Sequence, residues 1–250
     1  MKADRMMDIC LLAGEIMLSS GAETYRVEET LERMAKSHHF KNVHCFVMTT
    51  GIFLSFEEDG KDDVMQMVRV DDRLQDLNKI TQVNQISRQL VSGEIDGEGA
   101  WRELKDISKS AQHYPPYLIH IASGVAGGTF SYLFGGNWMD VIPAFIAGFS
   151  ASWSLFLLQE YLKVRFFAEF MAAFLGGLVA IILVLIGIGE NIDQVIIGTL
   201  MPLVPGIPLT NAVRDLMSGD LIAGLTRGAE TVITALSIAT GIALAIAMFM

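Results

Sequence analysis

The chain has 250 residues, 52% of them apolar and 18% charged, with a formal net charge of −10. That apolar share is too high for an ordinary soluble domain and calls for membrane-spanning segments. Nothing basic is clustered, which excludes nucleic acid as a partner. The two cysteines, Cys10 and Cys45, fit neither a metal nor a disulfide spacing and read as buried or half-buried thiols of a reducing compartment.

Charge is unevenly spread. Of the 28 acidic residues 20 precede Pro115, as do 14 of the 18 basic ones. The pattern predicts a cytosolic domain over 1–113 and a transmembrane domain over 114–250, with Tyr114-Pro115-Pro116 as the boundary. The stretch 1–21 is mixed and amphipathic, without the charged cap and apolar run of a signal peptide.

In chain order, residues 4–19 predict a helix with Ile9, Leu12 and Ile16 on its apolar side. Ser20 and Glu23 match a capping box that would open a second helix running to about Ser37. Val43, Cys45 and Val47 alternate with His44, Phe46 and Met48, which predicts paired strands through NVHCFVMTTGIFLSF. Glu57 to Gly60 reads as a turn, 64–70 as a third strand, and 71–91 and 99–111 as two more helices, giving an α+β domain. His38, His39 and His44 lack partners at ligand spacing and read as a solvated helix end rather than a metal site. Glu23–Arg26 and Glu29–Arg33 have ion-pair spacing on a helix, which fits a solvated face or a cytosolic vestibule or docking surface. No G-x-S-x-G, P-loop or HExxH is present, so neither an enzyme, an ATP-driven pump nor a cofactor is indicated.

Five apolar segments follow, over about 117–136, 139–159, 167–189, 193–210 and 230–250, the fourth interrupted by prolines. A hydrocarbon core of ~30 Å takes ~20 helical residues, and such continuous runs are helices rather than barrel strands. The four bases of this half, Lys163, Arg165, Arg214 and Arg227, fall in loops on one side. The positive-inside rule makes that side cytoplasmic, the side of the N-terminal domain, and five crossings then put the C-terminus outside. Small residues recur at four-residue spacing, at Gly124 and Gly128, at Ala144, Gly148 and Ser152, at Ala172, Gly176 and Ala180, and at Ser237, Gly241 and Ala245. Such stripes let helices pack closely in lipid.

The fourth segment carries the sharpest signal, MPLVPGIPLTNAVRD, with Pro202, Pro205 and Pro208 inside an apolar run. A helix entering at about Asp193 would reach the bilayer middle near Leu203 and break there. Gly206 would allow an unusual backbone turn, and Pro208 suits the first turn of a new helix. That N-terminus would favour a carboxylate. Thr210 and Asn211 could donate hydrogen bonds to it, and Asn211, Arg214, Asp215 and Ser218 share one face. Pro205, Gly206, Pro208, Thr210, Asn211, Arg214 and Asp215 are therefore the candidate substrate-binding residues, Arg214 for a carboxylate and Asp215 for an ammonium or a proton. Asp215, Glu169 and Glu230 are candidates for coupling, although both glutamates are placed where they would cap helix starts. His120 reads as a polar interface residue.

The stretches SGAETYRVEETLERMA, TTGIFLSF and PGIPLTNAVRDLMSGDLIAGLTRGAE together resemble the threonine/serine exporter family, and the size resembles the larger subunit of its split, two-gene form. The resemblance implies a partner, a small membrane subunit, and a substrate that is threonine, serine or succinate. It also marks Glu23, Arg26 and Glu28 of the first motif and Thr50 of the second. An odd number of spans would make the partner an inverted repeat of this chain. The expected function is one subunit of a proton-coupled secondary exporter of small carboxylates in a bacterial inner membrane, in contact with lipid and open to homo-oligomerisation. The alternatives are a membrane scaffold or sensor, or more weakly a hydrolase in the soluble half.

Overall fold

A computed structural model describes residues 2–58, 63–71, 74–110, 114–162 and 164–249. In chain order the elements are α1 (Ala3–Ser19), α2 (Thr24–Ser37), β1 (Lys41–Met48), β2 (Gly51–Glu57), β3 (Val64–Arg69), α3 (Leu77–Ser92), α4 (Gly97–Lys109), α5 (Pro116–Leu133), α6 (Trp138–Leu162), α7 (Arg165–Leu185), α8 (Ile192–Leu200), α9 (Gly206–Ser218) and α10 (Leu221–Ala247). The chain forms two compact units. One is Met1–His113 with Ile207–Gly228, the other Tyr114–Gly206 with Ala229–Met250.

The first unit is built on an antiparallel sheet in the order β1-β2-β3. Along β2, Ile52, Leu54 and Phe56 are buried while Phe53 and Ser55 are half-buried, the period-two alternation of a sheet with one face on a core. Met6, Met7, Ile9 and Met17 of α1 and Leu31 and Met34 of α2 complete that core. A shift in register between Lys41 and His44 coincides with Asn42 at φ 49°, a conformation asparagine tolerates. Asp76 caps α3 by accepting from the Asn78 and Lys79 amides, and Asp96 caps α4 through Gly99.

The expected capping box is absent. Gly21 sits at φ 91°, Glu23 is extended, and α2 opens only at Thr24 with no cap from the Glu23 side chain. The Glu23 carboxylate is engaged elsewhere, as shown below. The Glu57 to Gly60 turn lies partly outside the described residues, as do Lys163 and the end of the helix expected over 99–111.

The second unit is a helical bundle cored by small residues. A side-chain carbon built on Gly127 would lie 2.9 Å from the Ala144 carbonyl, and one on Gly176 would lie 2.7 Å from the Ala151 methyl. Gly198 of α8 abuts the Gly127 carbonyl of α5. At the rim Asp140, fully buried, accepts from the amides of Asn137, Glu190 and Asn191 and from Asn191 Nδ2, at 2.7 to 2.9 Å. One carboxylate thereby ties the start of α6 to the loop before α8.

The expectation of five spans is corrected. Three described helices are long and apolar enough to cross a membrane, α6, α7 and α10, with 25, 21 and 27 residues. Ile192–Leu203 and Gly206–Ser218, separated by a break, would add a fourth only if counted together. The run expected to span first, 117–136, folds as α5, which stops at Leu133 before Gly135 at φ 96° and is diluted by His120, glycines and hydroxyl residues. The outward C-terminus and the inverted-repeat argument depended on an odd count and lose that support.

Candidate functional site

Within the first unit, α9 is amphipathic in an inverted sense. Its buried residues are Asn211, Ala212 and Asp215, while Ile207, Leu209, Val213, Leu216 and Met217 are exposed. The helical repeat places Asn211 and Asp215 one turn apart on the same side. That side meets the turn between α1 and α2.

Four consecutive residues of this turn each engage a different polar side chain of 211–227. The Gly21 carbonyl accepts from Asn211 Nδ2 at 2.9 Å. The Ala22 carbonyl accepts from Arg227 at 3.2 Å. Glu23 Oε1 accepts from Arg214 at 2.6 Å, and its Oε2 accepts from Arg26 at 3.3 Å. Thr24 donates its amide to Asp215 Oδ1 at 3.3 Å, and its Oγ1 lies 3.0 Å from the same oxygen. Asp215 thus supplies, from 191 residues away, the N-terminal cap that Glu23 does not give α2. Asp215 also pairs with Arg227 at 3.3 Å, and Thr24 Oγ1 reaches Asp220 at 2.9 Å. Gly21 sits at φ 91°, the left-handed region that favours glycine, at the turn whose Gly21 and Ala22 carbonyls meet these side chains. The far side of the turn is held by Leu74 and Asp76, whose amides donate to Ser19 and Ser20.

Burial alone would raise the Glu23 carboxyl. Its own backbone N–H, Arg214 and Arg26 together outweigh that and hold it below the ordinary carboxylate value. The linkage sign follows: these contacts add stability above about pH 4.5, and lose it as pH falls through the lowered folded-state value. Glu28 is raised, by burial first, with Asp220, Glu32 and Asp215 adding to it, against the hydrogen bond from the Val47 amide at 2.8 Å. Cys45 is pushed up to about 12 by burial and by Glu28 and Glu32, and burial pushes Cys10 up as well, so neither thiol is a nucleophile near neutral pH.

The candidates picked from sequence do not all converge. Asn211, Arg214 and Asp215 of the second motif meet Glu23 and Arg26 of the first. Thr210 is exposed on another face of α9, and Ser218 bonds the Arg214 and Asp215 carbonyls of its own helix. Pro205 and Gly206 belong to the other unit, and Pro208 is half-buried in the first turn of α9. Gly206 is helical, with open space where a side chain would stand, and no unusual turn is needed there. Thr50 is exposed in the β1–β2 turn, where its carbonyl accepts from Val70. Glu169 and Glu230 are not at helix starts. Glu169 accepts from Arg165 Nε at 2.9 Å in the second turn of α7, and Glu230 stands in the third turn of α10 because that helix already begins at Leu221. His120 is buried, with Nδ1 2.9 Å from Ser152 Oγ and its ring against Phe149 and Phe156.

Sequence reasoning missed Thr24, Asp220 and Arg227 as site members, and Asp140 as the tie of the other unit. Thr24, Asp220 and Arg227 all lie within the family-like stretches, 20–35 and 205–230, but only their partners reveal them. Chemically, the cluster offers three arginines, Arg26, Arg214 and Arg227, beside three carboxylates, Glu23, Asp215 and Asp220. Paired guanidiniums on a carboxylate recognise carboxylates.

A family model described as "Putative threonine/serine exporter" matches residues 8–249. The chain is 25% identical over 245 residues to the "Probable succinate transporter subunit YjjP" of Escherichia coli (strain K12), covering 96% of this chain and 93% of that one. It is 23% identical to the "Probable threonine/serine exporter" of Mycobacterium tuberculosis (strain ATCC 25618 / H37Rv), covering 95% of this chain and 45% of that one. It is 22% identical to the "Threonine/serine exporter" of Corynebacterium glutamicum, covering 96% of this chain and 50% of that one. No solved structure matches the chain significantly.

Proposed function

The chain belongs to the threonine/serine exporter family, and from that membership we propose that it is one subunit of a secondary exporter moving small carboxylate metabolites out across a bacterial inner membrane. The observation that best supports this is the meeting of two motifs about 190 residues apart at a cluster where two arginines hold one carboxylate, Glu23. In this reading Arg214 and Arg26 receive the substrate carboxylate, Asn211 orients the turn that frames it, and Asp215 with Asp220 receives an ammonium group or a proton. Threonine, serine and succinate are the substrates to test, because those are what the relatives are named for. A small membrane partner completes the transporter, since the chain spans about half of the two longer relatives. In this reading the first unit, which carries Arg214 and Arg227, faces the cytoplasm.

The test is efflux of labelled threonine, serine and succinate from cells lacking their own exporters. The expected result is flux of at least one of them only when this chain and the partner are co-expressed, and its loss when a protonophore collapses the proton gradient. Asn211→Ala removes a hydrogen bond worth about 1 kcal/mol and should cut that flux by roughly five- to tenfold at unchanged membrane abundance. No flux of any of the three with both subunits at normal abundance points instead to a scaffold and overturns the proposal.

A further inference from the structure

We propose that Glu23 is an internal counter-anion, and that the substrate carboxylate displaces it from Arg214. The inference rests on the exporter reading above and concerns the regulation of the same site. Arg214, the cation assigned to substrate, already holds a carboxylate, and that carboxylate belongs to the protein. Exposure sets the geometry for exchange. The Glu23 side chain is only 7% exposed, whereas those of Arg214 and Arg26 on either side are 55% and 44% exposed. The anion sits inside and both guanidiniums keep an open edge toward solvent. An arginine carries five N–H donors in a planar fork, and the contact to Glu23 uses one nitrogen of Arg214. An incoming carboxylate can therefore engage the outer edge first and take over as Glu23 leaves.

The local backbone supports release rather than permanent anchorage. Glu23 stands just before α2, and its carboxylate is turned away from the N-terminal amides it would ordinarily cap. The first amide of α2, that of Thr24, donates to Asp215, a contact that does not involve the Glu23 carboxylate. Glu23 and Thr24 are adjacent, so displacement of the first pulls on the second, and Thr24 is the hydroxyl shared between Asp215 and Asp220. Binding at the arginines is thereby communicated to the acidic end of the cluster. The charged groups that meet Glu23 are Arg26 of α2 and Arg214 of α9.

The test compares wild type with Glu23→Gln. Glutamine keeps the size and can still accept a hydrogen bond from Arg214, but it no longer competes as an anion. The prediction is tighter binding of the transported carboxylate to the purified chain by titration calorimetry, by roughly two- to fivefold, the worth of a partly exposed ion pair. The KM for efflux should fall in parallel. Arg26→Gln, which leaves Glu23 to Arg214 alone, should move both quantities the opposite way. Glu23→Gln with affinity unchanged or weakened overturns the inference, as does binding by neither protein, whereas a variant that binds where wild type does not supports it. Calorimetry keeps this result separate from the exporter reading, which stands or falls on flux with the partner.

Discussion

Replacing Asp215 with alanine is expected to abolish export and to lower the stability of the α+β unit by about 3 kcal/mol. Asp215 is fully buried and accepts from the Thr24 amide and hydroxyl while pairing with Arg227, whose side chain is 10% exposed. Breaking a buried pair leaves its partner charged and uncompensated, which typically costs about 3–5 kcal/mol. Arg227 keeps its bond to the Ala22 carbonyl, and this places the effect at the lower end. Asp215→Asn retains the shape and the acceptor facing Thr24, so it should cost roughly 1–2 kcal/mol and fold normally, yet still lose most flux because the charge is gone. Thermal unfolding in detergent and efflux with the partner read the two effects separately. An alanine variant as stable and as active as wild type would remove Asp215 from the account.

The other large effect is expected in the helical bundle. A side chain at Gly198 would run into the Gly127 carbonyl and would come within 2.8 Å of the Ser131 Cβ and 3.0 Å of its amide nitrogen. Two of those three obstacles are backbone and cannot rotate away. Gly198→Val should therefore separate α8 from α5 and cost about 3 kcal/mol or more. Size-exclusion chromatography in detergent should show loss of a single sharp species. Gly206→Ala provides the contrast, since nothing lies within 4 Å of the added methyl and the residue is already helical. It should be neutral or stabilising by up to about 1 kcal/mol. Equal behaviour of the two variants would show that close packing at Gly198 is not what holds the bundle.

Periodicity made much of the local structure legible. Alternation at Val43, Cys45 and Val47 marked β1, and the apolar repeat through Ile9 and Ile16 marked α1, because each pattern is set by geometry within a few residues. Long-range pairing was not legible. The spacing of Ser20 and Glu23 matched a capping box, but Glu23 is drawn off by Arg214 and the cap comes from Asp215, both 191 residues or more along the chain from the groups they meet. The span count failed for a related reason. Residues 117–136 are free of charge, yet α5 owes its composition to close packing at Gly124, Gly127 and Gly128 rather than to lipid contact alone. At the site, Asn211, Arg214 and Asp215 stood out because polar residues behind a proline break are unusual in an apolar run. Their covering turn, Gly21 to Thr24, could be found only in three dimensions. Glu230 misled because 211–228, with Arg214 and Arg227, reads as a linker, whereas α10 already begins at Leu221.

The central claim is that the Gly21–Thr24 turn and α9 form one carboxylate-handling site, with Glu23 and Arg214 acting as a pair. Charge reversal tests it most directly. Glu23→Arg places like charges beside Arg26 and Arg214, and Arg214→Glu places two carboxylates together, so each single variant should lose most efflux. The double variant restores an opposite-charge pair at the same place, and the account predicts that it recovers a substantial part of the flux at equal membrane abundance. A double variant no more active than the worse single one would contradict the account.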